Sequence, residues 1–154
     1  FDLAKQQKLH QPKILRSQTR RMLADPKAKA FSKNFAAQWL DLAGIRRLAV
    51  NPEFFKFDER TKDLFEEETI RFLDHILAKN LSIQNFIDSD FAMLNQNLAE
   101  FYGIKGDKGS EFRAVQLSKK MGRGGLLSQG SFLSGHSDGV QAHHQHTRRR
   151  LPRR

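Results

Sequence analysis

Apolar residues recur along most of this chain at spacings of three and four, a period that predicts helices over nearly its whole length. Residues 2–9 read as a short helix. Pro12 opens a second one that runs to Leu23, with Ile14 and Leu15 leading to Met22 and Leu23 at helical spacing. Asp25-Pro26 then marks a new start, since Asp can cap free N–H groups and Pro suits the first helical position. The helix that follows carries Phe31, Phe35, Trp39 and Leu42 on one stripe and stops near Gly44. An amphipathic stripe of that period predicts a core-facing surface.

Asn51-Pro-Glu-Phe-Phe-Lys-Phe57 is a loop dense in aromatics, expected to fold back onto the helices. The longest helix is predicted from Glu59 to Lys79, capped by Asp58, with Phe65, Phe72 and Ile76 on its buried face and Leu73 and Leu77 beside them. Glu66, Glu67 and Glu68 crowd its first half, where the helix dipole favours negative charge. Asn80 ends it, and Ser82 to Ile87 predicts a short helical turn. Asn95 is placed to cap a helix from Gln96 to Tyr102, which Gly103 closes in a left-handed conformation with Ile104 beyond. Lys105 to Ser110 reads as a charged, glycine-rich loop and residues 112–117 as a short strand or extended segment. Beyond Arg123, the residues Leu126, Leu127, Phe132 and Leu133 predict one more short helix. The expected fold class is therefore mainly α: about six helices around a Phe-rich core, a short extended segment near 112–117 and a disordered C-terminal tail.

Composition supports the core and narrows the chemistry. The 154 residues include 13 Phe but only one Trp and one Tyr, so the aromatics read as core filling. No apolar run approaches the roughly 18 residues that a membrane-spanning helix needs. With no cysteine, disulfides, thiolate metal sites and covalent haem attachment are excluded within this segment. The formal charge of +10 is uneven. Residues 141–154 hold five Arg and no acid, which leaves 22 basic and 17 acidic residues before them. Such a tail attracts any polyanion without specificity, and no stripe or recognition motif points to nucleic acid as a partner. Residues 5–33 carry nine Lys or Arg against one Asp, while residues 53–68 carry Glu53, Asp58, Glu59, Asp63 and the Glu triplet. The two are expected to face each other in the fold.

Each chemical motif has a simpler structural reading. Asp88 and Asp90 flank Ser89 in a helix-to-helix turn, where carboxylates serve as caps and turn formers. Ser134-Gly-His-Ser-Asp138 holds the letters of a hydrolase triad, but neighbours in one loop lack the scaffold that orients one. His143, His144 and His146 are weak metal candidates, close enough together for zinc, nickel or copper but with no further ligand after them. His10 and His75 read as surface residues. Arg123-Gly-Gly is a single copy that reads as a turn into a packed helix rather than an RNA-binding repeat. Gly103-Ile-Lys-Gly-Asp-Lys-Gly109 lacks the lysine spacing and preceding strand of a phosphate loop. No catalytic constellation emerges, and no cofactor site.

Five ordered motifs carry a family resemblance: Gln18-Thr-Arg-Arg-Met-Leu-Ala-Asp-Pro-Lys-Ala28, Asn34-Phe-Ala-Ala-Gln-Trp-Leu40, Asp90-Phe-Ala-Met-Leu-Asn95, Leu98-Ala-Glu-Phe-Tyr-Gly-Ile104 and Arg123-Gly-Gly-Leu-Leu127. Over residues 1–142 the chain resembles the planctomycete-type domain of unknown function fifteen-ninety-two, its last third resembling the start of the adjoining domain fifteen-eighty-eight. The motif residues are Asp25, Pro26, Trp39, Asp90, Asn95, Tyr102, Gly103, Arg123, Gly124 and Gly125, with structural rather than catalytic roles. The resemblance implies a helical domain over 1–104 that lacks its earliest helices, the start of a second domain over 105–140, and a basic tail over 141–154. That tail departs from the family pattern after Val140, as an out-of-frame end would. It further implies a piece of a large exported or periplasmic protein, with haem c on another segment and other domains of the same polypeptide as partners. The expected function is a structural or interaction module. The alternatives are a non-catalytic part of an enzyme acting on extracellular polymers and nonspecific polyanion binding through the tail.

Overall fold

Helix α5 (Glu59–Lys79) is the beam on which most of the core rests, in a computed structural model that describes residues 1–48, 57–105 and 109–135. Both of its ends are held locally. The Asp58 carboxylate accepts the Thr61 backbone N–H at 2.8 Å and the Thr61 hydroxyl at 2.7 Å. Asn80 closes the other end in the left-handed region, at φ 51 and ψ 44. Phe65, Glu68, Thr69, Phe72, Leu73 and Ile76 form its buried stripe.

Six other α-helices accompany this beam among the described residues. Helices α1 (Asp2–Lys5) and α2 (Pro12–Leu23) bury no residue. Helix α3 (Ala28–Trp39) packs on α5 through Ser32 and Ala36, with the Ser32 hydroxyl donating to Asp74 at 3.1 Å. Helix α4 (Ala43–Arg47) adds Ile45 to the core. Helix α6 (Gln96–Phe101) begins where the Asn95 side-chain oxygen accepts the Leu98 N–H at 3.0 Å. It ends with Gly103 at φ 71, as Gly103 N–H bonds to Glu100 O and Ile104 N–H to Ala99 O. That paired closure satisfies carbonyls the helix would otherwise leave free. Helix α7 (Gly130–Gly135) comes last and packs on α4 and α5.

Strands β1 (Phe91–Leu94) and β2 (Arg113–Gln116) form an antiparallel pair, with Phe91 opposite Gln116 and Leu94 opposite Arg113. The extended segment expected near 112–117 is thus β2. Its partner β1 was not anticipated, because a four-residue run such as Phe-Ala-Met-Leu has no period of its own to separate strand from helix.

Three further expectations need correction. Seven helices occur among the described residues, against about six expected, because Ala43–Arg47 forms a separate helix after the turn at Asp41. The core is Phe-rich only in part: Phe65, Phe72 and Phe91 are buried, but most buried positions hold aliphatic residues such as Ile45, Leu94 and Leu98. On α3 the stripe Phe31, Phe35 and Trp39 is 52%, 42% and 50% exposed, although Leu42 beyond it is buried. The face turned to α5 is the adjacent one, rotated by one residue or about 100°. Small side chains at Ser32 and Ala36 let the two helix axes approach, which bulky rings at those positions would prevent.

The expected pairing of the basic segment 5–33 with the acidic start of α5 also fails. Arg46 of α4 takes that role, reaching Asp63 at 2.6 Å, Glu66 at 2.7 Å and Glu59 at 3.5 Å. The Lys and Arg of 5–33 form no ion pair among the described residues. Of the aromatic loop before α5, Phe57 packs on Phe65 at 5.6 Å between ring centres. The rest of that loop, residues 106–108 and the tail lie outside the described residues. No helix among them is long and apolar enough to cross a membrane.

Candidate functional site

Glu68 is the most deeply buried acid in the described structure, at 1% exposure, and everything polar near it is arranged around its carboxylate. The Tyr102 hydroxyl donates to Glu68 Oε2 at 2.6 Å. The same hydroxyl oxygen accepts the Gly130 N–H at 2.9 Å. The Arg123 guanidinium lies over the Tyr102 ring, 3.6 Å from its centre, and donates through Nη1 to the Ser128 carbonyl at 2.7 Å. Helix α5, the end of α6 and the segment 123–130 therefore meet on one phenol ring.

The glycines explain how that segment fits so closely. A side chain at Gly124 would run into the Ser89 backbone, and one at Gly125 would meet the Ile87 carbonyl at 2.6 Å. Both also hold positive φ, at 156° and 71°. The Ser128 hydroxyl accepts the Gly124 N–H at 2.9 Å and donates to the Gly125 carbonyl at 3.1 Å, tying the turn to itself. Gly130 presses on the face of Phe65, where a Cβ would collide with the ring. One turn further along α5, Thr69 donates to Gln129 Oε1 at 2.7 Å, and its hydroxyl shares a hydrogen bond with that of Ser131.

Burial pushes the Glu68 carboxyl up to about 7, against the Tyr102 hydrogen bond and the positive charge of Arg123, which pull it down. Burial and the neighbouring Glu68 together raise the Tyr102 phenol well above its usual value. A carboxyl that titrates near neutrality is one mark of a catalytic acid or base. Here the void beside it measures only about 10 Å³, room for about one water, and the hydrogen bonds of the group join α5 to the end of α6 and to Gly130.

Outside Arg123 the surface opens into a polar cleft of about 600 Å³ between the Asn85–Asp90 turn and the Ser118–Arg123 turn. Asp88, Asp90, Lys119 and Arg123 line it. The two Asp carboxylates do not cap or close the turn as expected. Ser89 does so instead, its buried hydroxyl accepting the Phe91 N–H at 3.2 Å and donating to the Phe91 carbonyl at 2.9 Å. A neutral hydroxyl two bonds from its own Cα reaches these groups at lower desolvation cost than a carboxylate does.

The structure gathers Tyr102, Arg123, Gly124 and Gly125 at one place and puts Asp90 on the cleft rim beside them. Asn95 and Gly103 bound α6, as expected. Asp25 accepts the Lys27 N–H at 2.9 Å in the turn at Pro26, and α3 starts two residues after that proline. Trp39 lies apart, its ring edge-on to Phe86 at 5.5 Å. His143, His144 and His146 fall outside the described residues, and among those described no group of three metal-ligating side chains converges. Glu68, Thr69, Gln129 and Gly130 were not singled out from the sequence. A signal for Glu68 was present, since it sits on the 65, 69, 72, 76 stripe where an acid interrupts an apolar pattern.

These features define a mainly helical domain fastened by a carboxyl–phenol–guanidinium cluster, buried at Glu68 and half-buried at Tyr102 and Arg123. The family model for PSD4, protein of unknown function (DUF1592), matches residues 1–104, and the chain belongs to that family. No curated protein and no solved structure matches it. The fastening reaches past the matched segment: β1 pairs with β2, and Tyr102 meets Gly130.

Proposed function

We propose that this chain is a non-catalytic structural or interaction module of a large exported bacterial protein whose polypeptide also carries a cytochrome c domain. Residues 105–140 then belong to the start of the adjoining domain fifteen-eighty-eight, and the partners are other domains of the same polypeptide. The observation that carries this reading is the closed state of the Glu68 cluster: the ionisable groups with the most perturbed chemistry all serve to join elements. Haem c does not fit within this chain, because it has no cysteine to form the thioether links and His75 packs on Phe91 at 5.2 Å. The haem belongs on another segment. The five ordered motifs and the family membership support the multidomain setting.

The test is to express the chain and the remainder of its parent polypeptide separately and titrate one with the other by calorimetry. Saturable association, with haem absorbance confined to the remainder, is the expected result. No association, or turnover of extracellular polysaccharides by the chain alone, would overturn the reading.

A further inference from the structure

The apolar surface of α3 continues beyond a single helix. Phe31 and Phe35 stack at 5.7 Å, Phe35 and Trp39 at 5.4 Å, and Trp39 meets Phe86 at 5.5 Å, giving an unbroken ladder of rings along α3. At the Phe31 end the ladder runs into a groove of about 570 Å³ between the end of α2 and the start of α3. Met22, Leu23, Ala28 and Phe31 supply its apolar lining, and Arg21 and Lys27 outnumber the one acid there, Asp25. Met22 is 61% exposed there.

We propose that this groove and ladder dock an amphipathic helix, apolar on one face and rich in Asp and Glu on its flanks, supplied by a neighbouring domain of the same polypeptide. The proposal rests on the interaction-module reading above and names the surface and the chemistry of its partner. Charge selects the acidic flanks. The nine Lys and Arg of residues 5–33 have one acid, Asp25, in their own segment, and Arg46 already pairs with Glu59, Asp63 and Glu66 of α5. Like charge on both sides disfavours a second copy of this chain as occupant. Shape selects a helix: the site is a concave channel leading onto a 12-residue helix, about 18 Å long at the usual rise per residue, which matches some three turns of a partner. A bilayer favours protruding apolar groups over a groove. Nucleic acid would need free ring faces for base stacking, whereas these rings lie against one another.

Trp39 is the only tryptophan in the chain and stands half exposed on the ladder, so its emission reports docking directly. The probe is a synthetic peptide of about 18 residues, long enough to form a helix, with Leu at helical spacing and Glu elsewhere. Controls are its Lys counterpart, vesicles of phosphatidylcholine with phosphatidylglycerol, and a single-stranded oligonucleotide. The expected result is a blue shift of Trp39 emission with the Glu peptide, weakened at least about tenfold by Phe35→Glu and by Arg21→Glu with Lys27→Glu, and weakened by salt. Thermal melts of each variant confirm folding, and Met22→Glu serves as the second apolar variant if Phe35→Glu melts early. Equal binding of the Lys peptide, the vesicles or the oligonucleotide would overturn the proposal. If the remainder of the parent polypeptide binds wild type and Phe35→Glu alike, the groove assignment falls while the module reading stands. If neither peptide nor remainder binds, both fall.

Discussion

The Glu68 cluster and the α2–α3 face treat their aromatic and charged residues in opposite ways. Around Glu68 a phenol, a guanidinium and two hydroxyls are each matched to a partner, and glycines let the backbones close over them. On the α2–α3 face three large rings remain half in solvent, touching one another and, at Trp39, Phe86. Burial decides the consequence. A polar group taken from water must be paired or it costs the fold, so the cluster is intolerant of change. An exposed ring or cation loses little when altered, so the second face is free to serve something other than folding.

That contrast yields measurable differences. Gly125→Val places a branched side chain at φ 71° against the Ile87 carbonyl, and should cost more than about 4 kcal/mol, seen as loss of cooperative urea unfolding. The pH dependence comes next. Glu68 has a folded value near 7, above its ordinary 4.5, so the folded state holds the proton longer than the unfolded one. Its stabilising contribution is full below about 4.5 and is lost as pH rises through about 7, a span worth about 3 kcal/mol at most. Urea midpoints should therefore fall between pH 5 and 7, and Glu68→Gln should flatten that slope. Asp58 acts in the opposite sense: its Thr61 hydrogen bonds lower its carboxyl, so its contribution is present above the usual carboxylate range and lost in stronger acid.

Tyr102→Phe strips Glu68 and the Gly130 N–H of one shared partner, and should cost about 2 kcal/mol in chemical denaturation. Phe35→Ser on the open face should cost under about 1 kcal/mol, because the ring already meets water. A loss of several kcal/mol there would mean that the ladder belongs to the core after all, and the contrast between the two regions would disappear.

How much was legible follows from the range of each interaction. The Asp58 cap, the Asn80 stop, the Asn95 cap and the Gly103 closure were all readable, because each is settled within five residues of chain. Glu68 was half readable, as an acid on an apolar stripe whose partner could not be named. Strand β1 was not readable, since Phe91–Leu94 becomes a strand only when Arg113–Gln116 lies beside it. The orientation of α3 was misread for a related reason. Its aromatic stripe and its small-residue stripe are both periodic, and periodicity does not say which one a neighbouring helix selects.

Local chemistry in the chain therefore accounts for where the long helix and α6 begin and end, and four of the five motifs lie within the segment that matches the family. Tertiary structure alone brought Glu68, Tyr102, Arg123 and Gly130 together across 62 positions of chain, and left Phe31, Phe35 and Trp39 outside. The physical reason is that caps and stops are satisfied by neighbours in sequence. Burial is a competition among faces, and only the packed whole resolves it.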